Sequence, residues 1–215
     1  MAEVRSAALS VPKVSLTTFA EYLTAGASAR IDCIRNQIKI YEQDYRPGPA
    51  FYRDFVDAVV KGRSTGSDHL VMQHVVQTQR NDARHEHYAV LAEHWLNMSR
   101  LHLPLVSHGQ AVWVTPRLTV GIRPDFAIKD AKGQVSIVKL WLKEHELAGD
   151  ASRAMLWLLD RHMADLCPDA TPLVVDVRRE KIYPRSRRIA KRGFDAWLET
   201  EAGAMSDLWG RLAAA

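Results

Sequence analysis

The sequence predicts a mixed α/β protein with a helical N-terminal extension, and three features of its patterning predict it. Apolar residues keep helical spacing from residue 15 to about residue 100. The pattern then changes to short apolar runs of strand length between residues 111 and 142. A helix-length segment separates these from a further apolar run at 171–177. From residue 81 onward the order is helix, three strands, helix, strand, which fits a central sheet flanked by helices. The division expected is a helical region over residues 1–80 and an α/β core over residues 81–215.

The elements follow in order. Ser15 is a plausible cap for a helix carrying Phe19, Leu23, Ile31, Ile34, Ile38 and Ile40, with Gly26 as a point where it divides. "RPGP" at 46–49 stops this segment. "AFYRDFVDAVVKG" (50–62) is a second helix, with Gly62 read as its end. "DHLVMQHVVQTQ" and "DARHEHYAVLAEHWLNMSRL" are the third and fourth, the last with Tyr88, Leu91, Trp95 and Met98 as an apolar stripe. "AVWVT" (111–115) and "LTVGIRPDFAI" (118–128) are strands around a "PR" turn. "VSIVKLWL" (135–142) is almost continuously apolar, as a strand buried on both faces should be. "GDASRAMLWLLDRHMADL" is a helix and "TPLVVDV" a buried strand. "EKIYPRS" extends that strand or pairs with it, and Pro184 places that piece at a sheet edge. A helix beginning near "GFDAW" closes the chain, and Trp141, Trp157, Trp197 and Trp209 are read as core.

Composition narrows the classes. Hydrophobic residues make up 47% and charged residues 25%, which argues against disorder. No apolar run reaches the roughly 18 residues of a membrane span. The first residues lack the apolar stretch of a secretory leader, and Cys33 and Cys167 stand in no ligand spacing, so a reducing cytoplasm is expected. The net charge is +4, and one segment accounts for it. Residues 178–192 hold Arg178, Arg179, Lys181, Arg185, Arg187, Arg188, Lys191 and Arg192 against Glu180 alone. Outside it stand 21 basic and 24 acidic residues. Such a cluster attracts phosphates and binds nucleic acid by counterion release.

Two residues carry the candidate chemistry. Pro124-Asp125 lies within one strand, and Lys139 lies fourteen residues later in the next. A lysine in an apolar strand needs a partner, because an unpaired buried ammonium is costly. With the order of elements from Asp82 to about Tyr183, this pair resembles the PD-(D/E)XK nuclease superfamily, the restriction-endonuclease-like fold. That family carries Pro-Asp on its second strand and an acid, any residue and Lys on its third. Here the acid's position is Ile137.

The resemblance implies a nucleic-acid enzyme or binder, acting on DNA rather than RNA, in prokaryotic defence or repair. If active, it hydrolyses phosphodiesters with Mg²⁺ held by Asp125 and Glu93, or by Glu86 on the same helix, while Lys139 assists the water. Glu144 and Glu146 are further candidates for the displaced acid. In the alternative, Ile137 marks a catalytically inactive relative that binds nucleic acid or a protein. Arg179, Lys181, Arg185, Arg187, Arg188, Lys191 and Arg192 are expected to track the backbone, with Tyr183 stacking on a base. Relatives of this fold act as dimers, so a homodimer through the helical N-terminal region is also expected. His85, His87 and His94 form no "HExxH", and no phosphate-cradling glycine loop is present.

Overall fold

The computed structural model describes residues 11–42, 51–185 and 193–214. It is a mixed α/β protein, and its helices cover both faces of a five-stranded sheet. The N-terminal segment opens with a short strand, β1 (Lys13–Ser15), and runs directly into α1 (Leu16–Thr24). Ser15 caps α1 by accepting a hydrogen bond from the Thr18 amide at 3.0 Å. The chain breaks at Ala25-Gly26 before α2 (Ala27–Glu42), as the glycine predicts.

Next comes α3 (Arg53–Thr65), which ends four residues beyond the expected Gly62, at Gly66 in the left-handed conformation with φ 66°. Gly62 has a different role. It is buried inside α3, where an added Cβ would come within 3.0 Å of the Asp68 backbone, so it lets α4 (Asp68–Gln77) approach closely. Arg63 donates to the buried Asp68 at 2.7 Å and fixes the same corner. Asn81 caps α5 (Asp82–Asn97) through the Arg84 amide. A 3-10 turn over Ser99–Leu101 ends the helical stretch.

The strands are β2 (Leu105–Val106), β3 (Ala111–Val114), β4 (Thr119–Ile122), β5 (Phe126–Lys129) and β6 (Val135–Trp141). The helices α6 (Gly149–Arg161) and α7 (Met163–Leu166) lead to β7 (Thr171–Asp176). The edge strand β8 (Lys181–Pro184) and α8 (Phe194–Ala213) complete the fold. One sheet has the order β1-β4-β3 and the other β2-β5-β6-β7-β8. β5 and β6 are antiparallel, β6 and β7 are parallel across α6, and β7 and β8 are antiparallel.

The single strand expected over 118–128 is two. Pro124 has no amide to donate, and there the chain leaves the small sheet as β4 and enters the large one as β5. The ladder resumes at Asp125, whose amide donates to the Val138 carbonyl at 2.9 Å. The bend therefore carries the Pro-Asp pair to the junction of the two sheets.

Strand β6 is buried on both faces, as its almost continuous apolar run predicts. Ile137 and Trp141 point into a core shared with α1, α2, α6 and α8. Val138, Leu140 and Leu142 point into a second core with α3, α4 and α5. The N-terminal helices are thus distributed over the two faces of the sheet. Lys139 lies on the first face, between Ile137 and Trp141, and needs a partner there.

Candidate functional site

The partner is Asp125. Lys139 Nζ donates to Asp125 Oδ1 at 2.8 Å, and both side chains are only slightly exposed, at 13% and 12%. Asp125 Oδ2 accepts from the Leu140 amide at 2.6 Å. Two neighbouring strands therefore direct a carboxylate and an ammonium to one side of the sheet. The pair is accessible: it forms part of the floor of an open cleft of about 550 Å³.

The cleft walls come from distant parts of the chain. The start of α1 supplies Ser15, Thr17, Thr18 and Glu21. The start of α3 supplies Tyr52, Arg53, Val56 and Asp57, with Phe51 before it. Arg123 precedes the Pro-Asp pair, and Lys143 follows β6 on the same side as Lys139. Lys143 pairs with Glu21 at 3.1 Å across the opening. Arg123 and Arg53 are exposed, and neither is in an ion pair among the described residues. Burial pushes the Tyr52 hydroxyl above its ordinary pKa, opposed by the Arg178 guanidinium beside it. Arg178 also donates to the Leu142 carbonyl at 3.2 Å and contacts His87, so it buttresses this wall from behind.

The expected metal ligands do not gather here. Glu86 and Glu93 are exposed on α5, and neither lines the cleft. The reason is the rotation of that helix. Its buried residues Tyr88, Leu91, Ala92 and Trp95 face the second core, and the glutamates fall on the solvent side. Glu144 is exposed, 3.6 Å from His87, and Glu146 pairs with Lys181. The acid position of the motif, Ile137, is fully buried. A hard dication takes six or more oxygen ligands. Asp125 has both oxygens in hydrogen bonds, and no group of three or more His, Cys, Asp or Glu among the described residues could hold a metal. These residues do not fit the Mg²⁺ centre expected of Asp125 with Glu93. The carboxylates the fold does bring to the cleft beside Asp125 are Glu21 and Asp57, which no local motif marks.

The basic segment divides in two. Arg187, Arg188, Lys191 and Arg192 lie outside the described residues. Of those described, Arg178 bonds the Leu142 carbonyl and contacts His87, and the other three are paired with acids. Arg179 bonds the buried Asp176 at 3.3 Å and the Glu144 carbonyl at 2.6 Å. Lys181 meets Glu146 at 3.1 Å, and Arg185 meets Asp160 at 3.0 Å. Tyr183 packs against the first core, and its hydroxyl donates to the Leu147 carbonyl at 3.3 Å. Sequence reasoning missed Arg123, Arg53, Lys143 and Tyr52. Lys143 had a signal: it is four residues from Lys139, which period-two alternation puts on the same side.

No protein-family model matches this sequence, and neither does any curated protein. No helix among the described residues is long and apolar enough to cross a membrane.

Proposed function

We propose that the chain is a PD-(D/E)XK nuclease-like protein that binds nucleic acid, DNA in preference to RNA, in the cleft between α1 and α3. The observation that supports this is the 2.8 Å pair of Asp125 and Lys139 in the lining of an open cleft that also holds the exposed Arg53 and Arg123, in no ion pair among the described residues, alongside Glu21, Asp57 and Lys143. Such arginines attract a phosphate backbone. The internal hydrogen bonds of Asp125 and the burial of Ile137 favour binding without hydrolysis. In this reading Lys139, neutralised by Asp125, holds the bend at Pro124 in place.

One observation favours the hydrolytic alternative. Glu21 lines the same cleft as Asp125, and its exchange from Lys143 to a cation would give two carboxylates beside a lysine. A single experiment separates the readings. Plasmid is incubated with Mg²⁺ or Mn²⁺ and the wild-type protein, Asp125→Ala, Lys139→Ala or Glu21→Gln, and cleavage and retention are read on one gel. Retention without cleavage in either metal supports the binder. Cleavage that all three substitutions abolish supports the nuclease. Neither retention nor cleavage overturns both. Cytoplasmic residence and self-association belong to the same proposal, and gel filtration coupled to light scattering tests the latter.

A further inference from the structure

The lining of the cleft says more than that it attracts phosphate. Pro124, Leu140, Leu142 and Val56 give it apolar lining, with Phe51 and Tyr52 beside them, and its unpaired cations among the described residues are Arg53 and Arg123, with Glu21 and Asp57 also in the lining. A fully paired duplex offers a protein its phosphates and groove edges and keeps its base faces stacked. It would leave this apolar lining unused. An unpaired nucleotide presents both a charged phosphate and an apolar base face, which is the combination lining this cleft. A cleft of about 550 Å³ is also of the size that encloses a small ligand.

Resting on the reading that this protein binds nucleic acid, we infer that the cleft takes an unpaired nucleotide of a single strand. The base lies against Phe51 and Tyr52, and the phosphate lies at Arg123 and Arg53. Phe51 suits this role because the residue is 36% exposed while its ring is held by neighbours. Tyr52 and His87 meet it edge-on at 4.8 and 5.2 Å, and the Arg84 guanidinium lies over the ring at 5.4 Å. A fixed, partly exposed aromatic ring is a stacking platform that loses little entropy when a base settles on it. The start of α1 faces the same space through Ser15 and Thr17, so its positive dipole end adds to the anion-binding side.

The test is fluorescence anisotropy at low salt with a single strand of about 12 nucleotides and with the blunt duplex of the same sequence. The expected result is single-strand affinity about tenfold or more above that for duplex. Phe51→Leu keeps an apolar side chain in place but removes the flat face. It should lower single-strand affinity roughly 5- to 100-fold and leave duplex affinity unchanged. Arg123→Glu should weaken both. Duplex bound as tightly as single strand, or an unchanged single-strand preference in Phe51→Leu, overturns the inference. If Arg123→Glu still weakens binding in that case, the nucleic-acid reading survives it. No binding of either oligonucleotide by the wild-type protein overturns both.

Discussion

The two basic regions of this protein differ in what their charges do. The run at 178–185 is dense in the sequence, yet each of its described cations serves the fold. Arg178 buttresses the cleft wall, Arg179 neutralises the buried Asp176, and Lys181 and Arg185 meet surface acids. The cleft cations are scattered at 53, 123, 139 and 143, and the fold collects them. Lys139 and Lys143 are paired there, while Arg53 and Arg123 face solvent with no ion pair among the described residues. Charge density along a chain therefore measures available charge, not free charge. An arginine committed to a buried carboxylate is a poor phosphate ligand, because leaving its partner strands a desolvated charge.

The comparison can be broken in several ways, beginning with the largest effect. Ile137→Glu places a carboxylate at a position that is fully buried between Ala127 and Pro172. A carboxylate there should destabilise the protein by about 4 kcal/mol, from lost burial and an unpaired buried charge. A urea melt close to that of wild type would mean the site is open to water. Next, Arg53→Glu with Arg123→Glu should lower nucleic-acid affinity about 100-fold while leaving the thermal midpoint unchanged. It should also flatten the dependence on salt by about two phosphate contacts. Reversing Lys181 and Arg185 instead should cost much less binding, and an equal loss would erase the distinction drawn here.

Third in size is Arg179→Ala, which leaves Asp176 without its guanidinium. Because Arg179 is about one-third exposed, water compensates in part, and the expected cost is about 2 kcal/mol in a denaturant melt. Lys181→Ala and Arg185→Ala break exposed pairs, and each should cost under about 0.5 kcal/mol.

The smallest effect is one of pH. Burial raises the Asp176 pKa above its ordinary value, against the pull of Arg179. The folded state then binds this proton more tightly than the unfolded state. Stability is greatest below the unfolded carboxylate value and falls as pH rises through the raised folded value. Asp176→Asn removes that dependence. The stability difference between wild type and Asp176→Asn should therefore shift against wild type as pH rises above about 4. A difference that does not change with pH would show that Arg179 compensates fully.

Particular residues show how far the sequence could be read. The helices, the two-faced burial of β6 and the edge position of β8 were legible because each follows from local periodicity or from proline's missing donor. The Asp125–Lys139 pair was legible for a related reason: an ammonium in an apolar strand demands a nearby charge. Gly62 misled because a glycine inside a helix and a glycine ending one look alike until the neighbouring helix is placed. Glu86 and Glu93 misled because their spacing fixes a shared helix face, not the direction in which that face points.

By itself, then, the sequence determined most of the succession of helices and strands, the edge position of the piece carrying Pro184, and the need of Lys139 for a carboxylate. These depend on steric and solvation rules that act within a few residues. Only the tertiary structure decided that Glu21, Tyr52, Arg53, Arg123 and Lys143 share one cleft, and that Arg179, Lys181 and Arg185 of the basic run are committed to acids. Those outcomes depend on how α1 and α3 settle against the sheet. That settling is set by the sum of many small packing contacts across two cores, and no short stretch of chain contains it.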